Sequence, residues 1–318
     1  MDSTREVIHA KRSKRAQGKF EKNVQSLKDS FFTRYEPQHM WSASRLETYS
    51  SCPHHFFVRY ALGLKASEPT VPGLELNQKG SILHEVLEKV YKVAEDPTDV
   101  NTVLKELPNI AQEVFSSAPK QYGFRPSELW EMEQEQLLNI LVETIPAFAD
   151  VSQGWTPFKY EQKFGFQGEP PLQIQLGGGD VLIHGRIDRI DRNAEGELRV
   201  VDYKLGSSHQ EKKDFDSGQR LQLPIYALAA QDALELGKTV DGIYWAVKAA
   251  EPGAFQINSY VNDSGAGLEA AEQTLKFHLQ KIIQGIRSGI FFPDSPKGGC
   301  PDYCPAAQWC WRYEKAGW

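Results

Sequence analysis

Three observations predict an α/β fold in which a central mixed sheet is flanked by helices. Residues from about 79 to 150 carry apolar positions at helical spacing, and residues 159 to 205 switch to alternating and β-branched stretches broken by Gly and Pro. From about 217 onward, helical and strand patterns interleave. Helices first, strands in the middle and both afterwards is the order a layered α/β domain leaves in its chain. The 318 residues can bury one large core or two of ordinary size, and no internal repeat or low-complexity tract interrupts them.

Residues 1–40 are rich in Lys and Arg and poor in aromatics ahead of Phe31, which reads as a basic N-terminal arm before a domain spanning 41–318. "SASRLETYSSCPHHFFVRYALGLK" opens with Ser44 three residues before Glu47, a capping-box spacing, and Pro53 interrupts its helix. In "KGSILHEVLEKVYKVA", Leu83, Val86, Leu87, Val90 and Ala94 form a buried stripe with His84 beside it. Residues 100–150 look helical, with Leu137, Leu138, Leu141 and Ile145 on one face and breaks expected at "PNI" and "RPSEL". Strands follow in "KYEQKFGFQ", "LQIQL", "DVLIHGRIDRID" and "ELRVVDYKL". The helical "SGQRLQLPIYALAAQDALEL", the strand "GIYWAVKA" and the amphipathic helix "GLEAAEQTLKFHLQKIIQGIRSG" complete the pattern.

The longest apolar run, "LPIYALAA", is far short of a membrane span, and "MDSTREVIHAKRSKRAQGK" is charged where a secretory leader would be apolar. The expectation is a cytoplasmic protein. A formal charge of −6 argues against a surface that binds nucleic acid everywhere, so any polyanion site must be a local groove. Four cysteines are too few for a disulfide scaffold in a chain this long, and the crowding of Cys300, Cys304 and Cys310 suggests metal ligation.

The chemistry concentrates in "GRIDRIDRNAEGELRVVDYKLG". If residues 193–197 form the turn of a hairpin, positions equidistant from Glu195 face each other, and Asp188 stands opposite Asp202. Like charges roughly 5 Å apart are destabilising unless a cation bridges them or one is protonated. Alternation puts Lys204 on the face of Asp202 and turns Tyr203 away. Two acids and an ammonium therefore converge, a set suited to Mg²⁺ or Mn²⁺ and to hydrolysis of a phosphodiester. The same spacing also suits a solvated surface hairpin whose acids pair with Arg186, Arg189 or Arg199. Asp191, a rival ligand, faces Arg199 in this register, which favours a plain cross-strand ion pair.

"GRIDRID" and "VVDYKLG", with "GSILHEVLE" upstream and "LQLPIYALA" downstream, resemble the RecB-like branch of the PD-(D/E)XK nuclease superfamily. The resemblance implies a restriction-endonuclease-like core and a catalytic metal, Mg²⁺ or Mn²⁺, bound by His84, Asp188 and Asp202 with the backbone carbonyl of Tyr203. It implies a catalytic Lys204, and it places the Gln-x-x-x-Tyr pair, Gln222 and Tyr226, beside the DNA and the active site. Glu161 in "KYEQKF" resembles an acid that often precedes the core strands in this branch. Gln222 and Tyr226 share a helix face at i and i+4, with Pro224 in a first turn or at a kink.

"GGCPDYCPAAQWCW" spaces its cysteines as C-x3-C-x5-C, and Cys52 is the remaining one. In AddB-type helicase-nuclease subunits and related CRISPR adaptation nucleases, one cysteine before the nuclease motifs and three after them hold a 4Fe-4S cluster, and "SASRLETYSSCPHHFF" resembles the surroundings of that first cysteine. The resemblance thus implies a cluster on Cys52, Cys300, Cys304 and Cys310, while zinc suits four thiolates equally well by spacing. No G-x-x-x-x-G-K-[ST] loop is present, so an ATP-driven helicase motor would belong to another polypeptide. The expected activity is a DNA exonuclease on single strands in repair or recombination. The alternatives are a CRISPR adaptation-type exonuclease and a catalytically silent DNA-binding subunit of a helicase-nuclease complex.

Overall fold

A computed structural model describes residues 31–36, 38–66, 74–206, 211–296 and 299–315; most of the basic arm lies outside them. The chain divides into two compact units, one drawn from Pro69–Leu172 and Ile183–Leu275, the other from Met1–Glu68, Gln173–Leu182 and Lys276–Trp318.

The first of these units is built on a five-stranded mixed sheet. In chain order its strands are β2 (Thr156–Phe164), β5 (Gly185–Arg192), β6 (Leu198–Lys204), β7 (Thr239–Ala246) and β8 (Glu251–Gln256), and they lie side by side in that order. Only β6 and β7 pair in parallel. A parallel pair needs a long crossover, and here it contains α6 (Lys212–Asp216) and α7 (Gln222–Leu228). The hairpin between β5 and β6 turns as the acids require: Asn193 N–H donates to Glu197 O at 3.0 Å, and Gly196 supplies φ 81. The register Arg189↔Val201, Ile190↔Val200, Asp191↔Arg199 keeps Glu195 at its midpoint.

Three long helices, α3 (Leu76–Val93), α4 (Val100–Tyr122) and α5 (Glu128–Val151), supply most of the core of this unit. The stripe Leu83, Val86, Leu87, Val90 and Ala94 is buried as its spacing predicts, against Val201, Tyr203, Ile243 and Trp245 of the sheet. Trp245 Nε1 donates to Thr144 Oγ1 at 2.7 Å, so the large indole is buried with its polar atom satisfied. The expected break at "PNI" does not occur. Pro108 lies inside α4 on the exposed side, where the carbonyl it leaves unpaired can meet water, and the apolar stripe Val103, Leu107, Ala111, Val114 runs past it.

The second unit holds a three-stranded sheet, β1 (Met40–Trp41), β4 (Val181–Ile183) and β3 (Leu172–Ile174), in the order β1-β4-β3. The stretch expected as one strand, "DVLIHGRIDRID", is therefore two, β4 and β5, parted at His184. Helix α1 (Ala43–Ser51) and the short α2 (Pro53–Phe56) meet at Cys52, whose extended backbone, φ −158 and ψ 107, ends one and starts the other. Ser44 is not the cap: the helix starts at Ala43 after Ser42, and the Ser44 hydroxyl meets Ser42 Oγ at 3.1 Å instead of a backbone N–H. Phe31, Tyr35, Trp41, Phe56 and Phe291 interlock as stacked and edge-on rings within this unit.

Candidate active site

The hairpin register carries Asp188 level with Asp202. The pairs Tyr160↔Arg189 and Gln162↔Ile187 set Glu161 level with Asp188 on the other side. Three neighbouring strands thus bring three carboxylates into one row. Glu161 reaches it through a left-handed backbone at φ 48, an uncommon conformation for a residue with a side chain. From α3, His84 closes the group. Its Nδ1 lies 3.5 Å from Asp188 Oδ1 and 4.0 Å from Glu161 Oε1, and its Nε2 lies 3.0 Å from the Tyr203 carbonyl. With the proton on Nε2, donated to that carbonyl, the lone pair of Nδ1 faces the acids.

Tyr203 works through its backbone on both sides, since its N–H also donates to Asp188 Oδ2 at 2.8 Å. Its ring turns to the opposite face of the sheet, edge-on to Phe148 at 6.1 Å, where Arg189 also packs over Phe148 and Tyr91. Lys204 Nζ lies 2.5 Å from Asp202 Oδ2 and donates to Gln222 Oε1 at 2.8 Å, and Gln222 Nε2 donates to Tyr226 OH at 2.7 Å. The motif pair of α7 is joined in this way to the ammonium of β6. Pro224 falls in the first turn of α7, which begins at Gln222, later than its helical pattern predicts. Asp191 stands apart, buried between Arg189 and Arg199 at 2.5 and 2.7 Å, as the cross-strand ion pair its register predicts.

The electrostatics are those of a site with surplus negative charge. Burial, reinforced by Asp188, pushes the Glu161 carboxyl up to about 7, although Arg186 and His84 pull it down. Burial and Asp188 likewise push Asp202 upward against the pull of Lys204. Burial opposes charge on His84, but Asp188, Asp202 and Glu161 outweigh it and hold the imidazole above its usual value. His84, Glu161 and Asp188 form the group of ligand atoms, all within 4.8 Å of one another, that could hold a metal ion among the described residues. One participant escaped the sequence reading as part of the site: Arg186, whose Nε lies 2.6 Å from Glu161 Oε2.

In the other unit, Cys52, Cys300 and Cys310 lie near enough to Cys304, and Cys52 and Cys300 near enough to Cys310, to act on their thiols by like-charge repulsion. Burial and this mutual repulsion push the Cys304 and Cys310 thiols up. Backbone N–H groups point at three of the sulfurs: His55 toward Cys52 at 3.5 Å, Ala306 toward Cys304, and Arg312 and Tyr313 toward Cys310. Val58, Ala306, Phe57, Ala307 and Tyr313 form an apolar shell around Cys304 and Cys310.

The sequence profile of the PD-(D/E)XK nuclease superfamily matches residues 40–311, a span that includes every element of this row and all four cysteines. The chain belongs to the PD-(D/E)XK nuclease superfamily. Within this superfamily it is 32% identical over 215 residues, 64% of its own length, to the B component of the ATP-dependent helicase/deoxyribonuclease of Carboxydothermus hydrogenoformans. It is 30% identical over 217 residues to the protein of the same name from Thermoanaerobacter sp., and 30% over 226 residues to that of Clostridium botulinum. The matched regions are 20%, 19% and 19% of those relatives, so the chain spans about a fifth of their length. The mixed sheet flanked by helices is the restriction-endonuclease-like arrangement of this superfamily.

Proposed function

We propose that the chain is a metal-dependent deoxyribonuclease that hydrolyses phosphodiester bonds of single-stranded DNA in repair or recombination. The observation that carries this reading is the row Glu161, Asp188 and Asp202, closed by His84 and followed by Lys204. The residues fit a hard divalent cation such as Mg²⁺ or Mn²⁺: the Glu161 and Asp188 carboxylates and the His84 imidazole converge, Asp202 stands level with Asp188 on the next strand, and the raised Glu161 and Asp202 carboxyls mark negative charge that a cation would relieve. His84, Asp188 and Asp202 would hold it, with Glu161 and the Tyr203 carbonyl beside them.

When bound, such an ion supplies Lewis-acid stabilisation of a phosphoryl oxygen and a lowered pKa for water. The protein's own groups do the rest. Tyr203 N–H fixes the orientation of the Asp188 carboxylate. Lys204, held between Asp202 and the Gln222 amide, presents its ammonium to the attacking water or to charge developing on the phosphate. Gln222 in turn is oriented by Tyr226.

For the cysteines, the reading is a 4Fe-4S cluster on Cys52, Cys300, Cys304 and Cys310. Backbone N–H donors aimed at sulfur and an apolar shell suit thiolate ligands of such a cluster. A single zinc ion, with bonds of about 2.3 Å, would draw four sulfurs to about 3.8 Å of one another. A 4Fe-4S cluster holds its four sulfurs farther apart, and iron, sulfide and zinc analysis of the purified protein decides between the two. The relatives' name pairs a helicase with a deoxyribonuclease, and no Walker-type loop lies within these 318 residues, so the proposed role is the nuclease part of such a pairing, working with an ATP-driven helicase.

The test is Mg²⁺-dependent cleavage of end-labelled single and double strands by the parent and by Asp202→Asn. A drop of about a thousandfold or more in the variant is expected. Retained cleavage refutes the assignment, and strand binding by the parent with no product under Mg²⁺ or Mn²⁺ would make it a silent binding protein.

A further inference from the structure

The same three strands carry a second row. On β2, Glu161 is followed two residues on by Lys163; on β5, Asp188 is preceded two residues back by Arg186; on β6, Asp202 is followed two residues on by Lys204. Because β5 runs antiparallel to both neighbours, these offsets land on one level: Lys163 pairs directly with Arg186, and the β5–β6 register carries Arg186 level with Lys204. An acid row is thus shadowed, one pleat nearer the strand ends, by a row of three cations.

Like charges placed directly opposite on neighbouring strands are destabilising, and Lys163 and Arg186 are both exposed. Glu161 offsets part of this by holding Arg186 Nε at 2.6 Å, and Gln167 Oε1 accepts from Lys163 Nζ at 3.2 Å. The Arg186 side chain remains 57% exposed, its fork anchored at one nitrogen beside the carboxylates. Neighbouring strands lie about 4.8 Å apart, so the row is about 10 Å long. That length follows a few nucleotides at about 3.4 Å of rise each.

We infer that Lys163 and Arg186 extend Lys204 into a track for the phosphodiester backbone of a nucleic-acid strand, holding the phosphates next to the one at the acid row. The inference rests on the nuclease reading and adds the substrate contacts to it. Arg186 and Lys163 are positioning residues: they read charge and spacing, not base identity.

The experiment is fluorescence anisotropy of a labelled oligothymidylate against the full chain in EDTA, across a salt series, for the parent, Lys163→Gln, Arg186→Gln and the double variant. Removing one cation–phosphate pair should make the slope of log K against log salt less negative by about 0.7, and removing both by about 1.4. Arg186→Lys and Lys163→Arg, which keep the charge, should restore the parent slope; a misfolded protein would not follow that pattern. Under Mg²⁺ the Gln variants should raise KM more than they lower kcat. Slopes identical to the parent's in all variants overturn the track. If the slopes change as expected but the parent never cleaves, the track stands and the nuclease reading falls; if the parent cleaves and the slopes do not move, the track alone falls.

Discussion

Glu161 combines an unfavourable backbone, about 1–3 kcal/mol for a residue in the left-handed region, with a carboxyl raised to about 7. Both penalties are stored where the acids converge. The pH dependence follows from the sign of the shift. A carboxyl raised in the folded state contributes stability that is fully present below its unfolded value near 4.3 and is lost as pH rises through about 7. Thermal unfolding in EDTA should therefore show a midpoint that falls between about pH 5 and 7. Glu161→Gln should flatten that fall and raise the midpoint at pH 8 by about 2 °C or more; an unchanged profile would contradict the surplus-charge account. At this scale the opposition of Asp188 to Asp202 was legible, because a hairpin midpoint sets the register of residues so near in sequence. The tie between Arg186 and Glu161 was not, since it depends on how β2 aligns with β5 across two intervening short strands and on one left-handed residue.

Among the elements, β5 and α7 do the placing. Gly185 opens β5 where a Cβ would stand 2.7 Å from the Phe164 ring and 3.2 Å from that of Tyr226. The close approach leaves no room for a methyl group between two packed aromatics. Gly185→Ala should cost about 1–3 kcal/mol in urea unfolding and loosen the Tyr226–Gln222–Lys204 chain; a variant as stable as the parent would show that the rings yield freely. Helix identity was readable from the apolar spacing of α3, α4, α5 and α8 (Gly267–Arg287). Helix punctuation was less so. Pro108 breaks nothing because it lies on a wet face of a helix whose buried stripe bypasses it, and Ser44 caps nothing because Ser42 already stands ahead of the first turn.

At the scale of the molecule, the chain interleaves its two units, with Cys52 before the sequence of the nuclease sheet and Cys300, Cys304 and Cys310 after it. Such an arrangement leaves no change of composition at a boundary, which is why the pattern alone reads as a continuous domain from 41 onward. A shared cluster would tie together segments some 250 residues apart, the kind of long closure in which a cross-link restricts the unfolded chain most. Anaerobic purification should yield about four irons and four labile sulfides per chain, with Cys304→Ser losing them and its thermal stability; one zinc per chain without iron would replace the cluster by a closed zinc site. The part played by Tyr203 has a practical outcome for mutagenesis. Since its amide and carbonyl bond to Asp188 and His84, an alanine scan would be blind to that part, reporting only the missing ring against Phe148 and the His84 imidazole. Amide-to-ester exchange by protein semisynthesis would be needed to expose the contribution of the main chain.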